Sequence, residues 1–440
     1  MESASDRAAS AAHRGPRAVT IVAYHYPPDG EVGALRADKI AHSFLKRGFD
    51  VNVIAGPGDP PPPLPRRTVA RVANVLDPRA LYSRLRNRGT RAGTANTGTP
   101  AATTWVPPER VPAWKRYVSS VLWLPDDRQG WILPAARAAV RAVRSGSKLL
   151  YTSAPPQSVH LVGLLAKLRT GAFWVAEFRD PWTDNPWKPA FVRSRWSDAA
   201  DRWLERRCLR TADLIVTVTE SFAERLRTRI PARRHDRILV VRNGIDHIAS
   251  SPAPNLLRET VELLYVGNLY QGRDPRPFFR ALGELDRQKR LPAAAQVEFI
   301  GDCTFHGVSL ASILDEYGIR ERVTISGRIP HDQCLRRVAD ASLLLLFAQD
   351  QPLQVPNKLY EYLGARHPIV AFVDGNGETA RMLRQAGGHF VIDTCDPARI
   401  ADVLEAAFKA TAIPPSEHLY DWTTDNQLAR LHAALEARFA

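Results

Sequence analysis

The stretch 341–373 reads ASLLLLFAQDQPLQVPNKLYEYLGARHPIVAFV and contains one strand–loop–helix–strand unit. Its first residues, 341–348, form an apolar run with the length of a strand that is buried on both faces. Pro356 is predicted to take the first position of a short helix, where its missing N–H costs nothing. Gly364 is predicted to end that helix, and residues 367–373 read as the next buried strand. The unit predicts an α/β fold with a parallel sheet.

Two charged residues of this helix are placed so that they could bind one ligand together. Lys358 and Glu361 are three residues apart, so they share one helix face. The helix N-terminus lies at the carboxyl edge of the predicted sheet, where free N–H groups attract anions. Lys358 is therefore a candidate phosphate ligand, and Glu361 a candidate acceptor of hydrogen bonds from a ribose. The alternative is a packing helix with one exposed salt bridge.

Composition narrows the class of protein. The chain has 440 residues, a formal net charge of +14 and four scattered cysteines. The length predicts two or three domains, and the charge predicts an anionic partner. The cysteines fit thiols in a reducing compartment, because no spacing suggests disulfides or zinc. Without a spanning apolar stretch or signal peptide, the protein is expected to be cytoplasmic, with association to the inner face of the membrane left open.

Strand-like runs alternate with helix-length segments in two consecutive series, which predicts two Rossmann-like domains. The sequence ASSPAPN at 249–255 reads as the linker between them. An amphipathic helix closes the chain. The predicted organisation is a disordered tail at 1–16, an N-terminal domain at 17–248 with a Pro/Gly-rich insertion at 57–130, a C-terminal domain at 249–420 and a final helix at 421–440.

The insertion carries half of the excess positive charge. Residues 66–91 contain eight arginines and one aspartate, with apolar residues between them. This composition fits an anionic membrane surface. A solvated loop is the alternative. Nucleic acid is not expected as a partner, because the chain contains no nucleic-acid-binding motif.

Several motifs, in order, resemble the retaining glycosyltransferases of the GT-B fold, in the large family-four-like class. They are YHYPPDGEVGALRADKIAHSFLKRGFDVNVI at 24–54, FRDPWTD at 178–184, VRNGID at 241–246, LLYVGN at 263–268 and VPNKLYEYLGARHPIVAF at 355–372. The similarity extends to a subgroup that acts on bacterial surface polysaccharides and related glycans. It implies two Rossmann-like domains facing across a cleft, and a C-terminal helix that crosses back to the N-terminal domain near Trp422.

The resemblance implies sugar transfer from a nucleotide-sugar, held by the C-terminal domain, to an acceptor hydroxyl held by the N-terminal domain. Retention of configuration is implied, with no metal or other cofactor. The acceptor class stays open among lipid-linked glycans, polysaccharides and small metabolites. By match of position, Arg273 and Lys358 would bind the diphosphate and Glu361 the ribose. The remaining predicted substrate-binding residues are His25, Gly30, Gly33, Asn268, Gly327, Arg328, Ile329 and Gln354.

Two positions depart from the pattern of the family. Leu353 stands where many members have a glutamate that reaches the donor sugar, so Gln351 or Gln354 is a candidate replacement. Arg179 and Asp180 stand where many members have histidine and aspartate. A guanidinium cannot act as a general base, so Arg179 is predicted to pair with phosphate or with Asp180. These departures keep open a non-catalytic nucleotide-binding scaffold at a membrane. A second alternative is a nucleotide-sugar epimerase on the same two-domain fold, although its usual acidic and histidine catalytic set is not evident in the sequence.

Overall fold

A computed structural model describes residues 18–30, 32–75, 120, 123–185, 188, 193–250, 261–270, 272–410, 413–414 and 416–439. The described residues form two compact units. The first contains residues up to Val241 together with the chain from Leu428, and the second runs from Arg242 to Gln427.

The described part of the first unit contains a seven-stranded parallel sheet in the order β3-β2-β1-β4-β5-β6-β7. Ile21 in β1 pairs with Val53 in β2 and with Tyr151 in β4. Parallel strands that are covered on both faces are buried along their length, as all six residues of β4 are. The strands are β1 Ala18–Val22, β2 Asp50–Ala55, β3 Arg67–Arg71, β4 Leu149–Ala154, β5 Phe173–Phe178, β6 Leu214–Thr217 and β7 Ile238–Val240.

Helices connect these strands and cover the sheet. Ser194 and Thr219 cap two of them by accepting hydrogen bonds from backbone N–H groups. The helices that begin in this unit are α1 Val32–Lys46, α2 Gln129–Arg144, α3 Ser158–Thr170, α4 Arg195–Thr211 and α5 Glu220–Arg227.

The described part of the second unit contains a six-stranded parallel sheet in the order β12-β9-β8-β13-β14-β15, with a two-stranded hairpin, β10-β11, beside it. The strands are β8 Val261–Val266, β9 Ala295–Ile300, β10 Thr304–Phe305, β11 Val308–Ser309, β12 Val323–Ser326, β13 Leu343–Ala348, β14 Ile369–Val373 and β15 Phe390–Ile392. The helices are α6 Arg276–Arg287, α7 Leu310–Tyr317, α8 His331–Asp340, α9 Asn357–Ala365, α10 Glu378–Ala386, α11 Pro397–Phe408 and α12 Glu417–Asp421.

The ends of helix α9 differ from the sequence prediction. Pro356 is the residue that precedes the first helical turn, and the helix continues past Gly364 to Ala365. Arg366 ends it in the left-handed conformation, with a φ of 62°, and its Nε donates to the Ile413 carbonyl oxygen at 3.1 Å. Gly364 is required for a different reason, because a Cβ atom there would collide with the carbonyl oxygen of His247.

The last helix, α13 Thr424–Phe439, enters the core of the first unit. Leu428, Leu431 and Leu435 are buried in the same cluster as the strand residues of that unit, and His432 Nε2 lies 3.0 Å from Ser43 Oγ. This is the return of the final helix to the N-terminal domain that the resemblance implies. Trp422, just before it, is buried in the core of the second unit.

The prediction of irregular structure from residue 57 is wrong for residues 67–71. These residues form β3, an edge strand that pairs with β2 from Arg67↔Val51 to Arg71↔Ala55. The sequence RTVAR concealed the strand, because alternating exposure at a sheet edge allows polar side chains. The arginines at 84, 86 and 88 lie outside the described residues. Within the described part of the chain, no helix has the length and apolar character needed to cross a membrane.

Candidate active site

The second unit brings two cations together at the carboxyl end of β8. Gly267 follows this strand with a φ of +132°, a conformation that residues with side chains rarely adopt. A Cβ atom at Gly267 would lie 3.1 Å from Lys358 Nζ and 3.8 Å from Arg273 Nη1. The structure therefore brings both predicted diphosphate ligands to one backbone position, where the missing side chain of Gly267 makes room for the two cations.

Lys358 lies in the first turn of α9, and its Nζ donates a hydrogen bond to the Val266 carbonyl oxygen at 2.9 Å. The ammonium also lies 3.8 Å from the centre of the Tyr265 ring. Burial, followed by the charge of Arg273, lowers the pKa of Lys358 well below its ordinary value, while Glu361 acts in the opposite direction. An anion bound at this position would stabilise the charged form of Lys358.

Arg273 is held beside Lys358 by its own loop. Its Nη1 donates to the Asn268 carbonyl oxygen at 3.2 Å, and its guanidinium lies 4.2 Å from the centre of the Tyr270 ring. Within the described residues, the buried Nε of Arg273 has no hydrogen-bond partner. The predicted ligand Asn268 also supports the loop, since its Oδ1 accepts a hydrogen bond from the Asp302 backbone N–H at 3.1 Å.

Glu361 lies on α9, beyond Lys358, with about a third of its side chain exposed. Its Oε1 is 3.8 Å from Nε2 of His331, the exposed first residue of α8. The sequence analysis did not identify His331, because the contact joins two helices that are separated by β13. Glu361 and His331 therefore form a small cluster of polar side chains at this edge of the sheet.

Gly327, Arg328 and Ile329 connect the end of β12 to α8. Gly327 and Arg328 are exposed, and a Cβ atom at Gly327 would have no neighbour within 4 Å. Ile329 packs instead against a core cluster of the second unit. The backbone at Gly327 is therefore open to a ligand, as a nucleotide base requires.

The loop that contains Leu353 is fixed by hydrogen bonds. Gln351 is buried, and its Nε2 donates to the Gly272 carbonyl oxygen at 3.3 Å, which joins this loop to the loop of Arg273. The Gln354 carbonyl oxygen accepts a hydrogen bond from Thr379 Oγ1 at 3.2 Å. Gln351 and Gln354 are the two predicted replacements for the missing glutamate. The side-chain amide nitrogen of Gln351 is already hydrogen-bonded within the protein.

In the first unit, Arg179 and Gly33 come together at the carboxyl edge of the sheet. Arg179 donates from Nε to the Ala154 carbonyl oxygen and from Nη2 to the Pro155 carbonyl oxygen, each at 3.1 Å. A Cβ atom at Gly33 would lie 2.9 Å from Arg179 Nη2. Burial lowers the pKa of Arg179, and the charges of Glu177 and Asp180 counteract this effect. Glycine at position 33 thus makes room for the guanidinium.

The other predicted residues of this unit have separate surroundings. His25 Nδ1 lies 2.6 Å from Oδ2 of Asp29, four residues later. A Cβ atom at Gly30 would have no neighbour within 4 Å, so the backbone there is accessible. Asp180 directly follows Arg179 at the end of β5 and is partly buried.

A buried ion pair supports this edge, and the sequence analysis did not find it. Arg36 on α1 donates from Nε and Nη2 to Glu177 Oε1 at 3.0 and 2.9 Å. Arg36 Nη2 also donates to the Val241 carbonyl oxygen at 3.0 Å, and Ser153 Oγ donates to Glu177 Oε2 at 2.6 Å. The sequence signal that could have indicated this ion pair is Glu177, a charged residue near the end of the otherwise apolar strand β5.

A pocket of about 240 Å³ lies within the first unit, beside Pro155. Asp126 Oδ2 accepts a hydrogen bond from the Ser158 backbone N–H at 2.7 Å, which caps the start of α3. Trp182 Nε1 donates to Asp201 Oδ1 at 3.0 Å. Aromatic faces with adjacent polar groups suit a ligand with both apolar and hydroxylated surface. The lining includes Trp123, Asp126, Gln157, Trp182, Lys188 and Asp201.

Part of the chain resembles a known family of proteins. Residues 33–244 match the family described as glycosyl transferase 4-like domain. Over 226 residues the chain is 25% identical to an alpha-D-kanosaminyltransferase from Streptomyces kanamyceticus. This alignment covers 49% of the chain and 56% of the relative, so it spans little more than half of that protein's length.

Solved structures match nearly the whole chain. The lipopolysaccharide outer core galactosyltransferase WaaB has a TM-score of 0.59 at 13% identity, with 96% of this chain and 99% of that chain covered. Sucrose-phosphate synthase from Thermosynechococcus elongatus has a TM-score of 0.55 at 12% identity, with coverage of 96% and 97%. At this identity the likeness establishes the fold. The chain therefore has the GT-B fold, and its residues 33–244 match the glycosyl transferase 4-like domain.

Proposed function

We propose that the protein transfers a sugar from a nucleotide-sugar to an acceptor hydroxyl, with retained configuration and without a bound metal. The observation that carries this proposal is the convergence of Lys358 and Arg273 on Gly267. Two cations at the carboxyl edge of a parallel sheet match the charge and position of a nucleotide diphosphate. The glycosyl transferase 4-like domain favours transfer over the epimerase and scaffold alternatives.

In the proposed reaction, the acceptor hydroxyl attacks the anomeric carbon on the face that the diphosphate leaves. The bond from that carbon to the phosphate oxygen breaks, and this oxygen takes the acceptor proton. Lys358 and Arg273 stabilise the charge that develops on the diphosphate. The protein otherwise supplies position, and Arg179 has no role as a base, because a guanidinium keeps its protons.

For the acceptor, we propose the pocket between Trp123 and Trp182 in the first unit. It lies beside Pro155, whose carbonyl oxygen binds Arg179. The relative from Streptomyces kanamyceticus is named as an alpha-D-kanosaminyltransferase. For this chain, a lipid-linked glycan, a polysaccharide and a small metabolite are all compatible acceptors. A cytoplasmic location with association to an anionic membrane is part of the proposal.

In the segment 66–91, the described arginines bind acidic side chains or backbone carbonyl oxygens of the protein. These contacts reduce the positive charge that the segment could present to a membrane. Arg66 Nε lies 2.8 Å from Asp50 Oδ1, Arg67 contacts Asp38 at 3.4 Å, and Arg71 Nη2 donates to the Tyr26 carbonyl oxygen at 3.0 Å. Membrane contact by this segment therefore depends on arginines beyond the described residues.

Replacing Glu361 by alanine is expected to weaken the binding of the nucleoside diphosphate roughly 10- to 100-fold, the loss expected for hydrogen bonds to a charged group. Because the ribose is bound alike in the ground state and the transition state, KM should rise while kcat stays near the parent value. Calorimetry and steady-state kinetics measure the two effects.

Asp332→Ala provides the matched control, since Asp332 is an exposed carboxylate on the neighbouring helix α8. It should bind the nucleotide as tightly as the parent. If Glu361→Ala also kept the parent affinity, Glu361 would be a residue of a packing helix and would not hold the ribose.

The class of reaction is tested with labelled nucleotide-sugars. A thermal-shift screen of nucleotide-sugars selects the donor, because a ligand that binds the folded state raises the melting temperature. The selected donor should then release its nucleoside diphosphate in the presence of protein, with the sugar transferred to an acceptor or to water. A donor that binds and is never consumed would support the scaffold alternative.

A further inference from the structure

Helix α4 separates its charges onto two faces. Its exposed residues lie within an arc of about 140° at 100° per residue. Five of these residues are arginines and two are tryptophans, and no carboxylate of this helix lies among them. The outer face of α4 consists of Arg195, Trp196, Ala199, Arg202, Trp203, Arg206, Arg207 and Arg210.

The three carboxylates of α4, Asp198, Asp201 and Glu205, lie outside this arc and have partners there. Asp198 is partly buried at the flank of the helix, and its Oδ1 lies 3.6 Å from Lys188 Nζ. Asp201 is buried and lies 2.5 Å from Lys188 Nζ. Glu205 is also buried, and its Oε2 accepts a hydrogen bond from Thr183 Oγ1 at 2.9 Å and contacts Arg229. These acids are therefore paired outside the outer face, which keeps a strong positive charge.

The tryptophans are the second unusual feature of this face. Trp203 is 65% exposed and Trp196 is 48% exposed, although indole is among the largest apolar side chains. They are seven residues apart, so they project from the same side about 10 Å apart along the axis. Exposed indoles among arginines are typical of helices that lie at the interface of an anionic membrane.

The basic surface continues beyond the helix. Arg234, in the 3₁₀ turn Ala232–Arg237, donates a hydrogen bond to the Arg210 carbonyl oxygen at the end of α4. Arg233 beside it is exposed. The positive charge therefore extends past the C-terminus of α4.

We propose that the outer face of α4 docks on an anionic lipid surface. The arginines would contact the phosphate groups, and the indole rings of Trp196 and Trp203 would enter the headgroup layer. A straight helix face with its aromatic groups in one row fits a planar surface better than the curved groove that follows a nucleic-acid backbone. Asp201, on the inner face of the same helix, lines the pocket proposed for the acceptor, so only the width of α4 would separate that pocket from the lipid.

Vesicle flotation of the full chain tests the proposal. Vesicles of phosphatidylglycerol and phosphatidylcholine should recover the protein, and pure phosphatidylcholine vesicles should recover little. Since each arginine near an anionic surface contributes strongly, Arg202→Gln/Arg206→Gln/Arg207→Gln should weaken binding on the order of 100-fold. Trp203→Gln should weaken it roughly 10-fold, and this loss should persist at high salt, because salt screens charge and not apolar burial.

The matched control is Arg280→Gln/Arg336→Gln/Arg399→Gln, which removes the same charge from exposed positions of the second unit. This control should bind anionic vesicles nearly as the parent does, and Leu335→Gln, at an exposed apolar residue, serves the same purpose for Trp203→Gln. Melting curves establish that each variant is folded. Equal losses in the α4 variant and the control would mean that only net charge matters, which overturns the proposal.

Two further arms identify other binding surfaces and partners. If Arg84→Gln/Arg86→Gln/Arg88→Gln abolishes vesicle binding while the α4 variants keep it, the lipid surface contacts the insertion and the proposal is wrong. A fluorescent single-stranded RNA tests the nucleic-acid alternative. Loss of RNA binding in the α4 variants, with unchanged vesicle binding, would assign the face to nucleic acid and overturn the proposal.

Discussion

Replacing Lys358 or Arg273 by alanine is expected to remove about 3 kcal/mol of transition-state stabilisation, or roughly a 100-fold loss of kcat, as when one preorganised electrostatic contact is deleted. The diphosphate gains charge as the bond to the sugar breaks, so these cations interact more strongly with the transition state than with the bound donor. The rate should therefore fall more than donor affinity. Steady-state kinetics with the selected nucleotide-sugar measures both.

Lys409→Ala is the matched control, because Lys409 is exposed at the end of α11. It should keep parent turnover. Near-full turnover in both Lys358→Ala and Arg273→Ala would place the diphosphate elsewhere and contradict the proposed site.

Lys358→Met separates catalysis from stability. Because burial lowers the pKa of Lys358, the charged ammonium costs folding free energy that methionine avoids. This cost is fully present below the lowered pKa and declines as pH rises towards the ordinary lysine value. The variant should therefore lose kcat to about the same extent as Lys358→Ala, yet be at least as stable as the parent near neutral pH, as thermal melting would show.

The second large effect concerns stability. Arg36→Met is expected to lower the free energy of unfolding of the first unit by about 3–5 kcal/mol, because it leaves Glu177 as a buried charge without its main partner. Arg36 and Glu177 are both nearly inaccessible to solvent, at 5% and 0% exposure. Urea unfolding, followed by the fluorescence of the tryptophans, measures the loss.

Two variants check the cause. Arg66→Met removes an exposed ion pair with Asp50, and it should cost less than about 1 kcal/mol. Arg36→Met/Glu177→Met should recover much of the lost stability, since it removes both buried charges. A loss below about 1 kcal/mol in Arg36→Met would show that the pair contributes little.

The local sequence pattern was sufficient to predict the strands and helices around the proposed donor site. The apolar run at 343–348 is β13, and Lys358 lies in the first turn of the following helix. These predictions worked because apolar periodicity and strand–helix order report directly which sheet edge carries a residue. The position of Arg273 after β8, in contrast, was implied by the family resemblance.

Contacts between residues that are far apart in the chain could not be predicted from the sequence. Arg36 and Glu177 are 141 positions apart, and their contact requires β5 to lie near the start of α1. Gly364 was predicted to end a helix, but its role is to admit the backbone of His247. The outer face of α4 was also missed, because periodicity alone cannot tell which side of a mixed helix the rest of the fold covers.

The most direct test of the donor site is calorimetric titration with uridine, guanosine, thymidine and adenosine diphosphates. The free diphosphate carries the charge that develops in the transition state, so it reports on both cations together. We predict that at least one binds the parent and that Arg273→Ala/Lys358→Ala binds it on the order of 100-fold more weakly, while Lys409→Ala binds normally. Failure of all four to bind the parent, or equal affinity in the double variant, would contradict the assignment of this site.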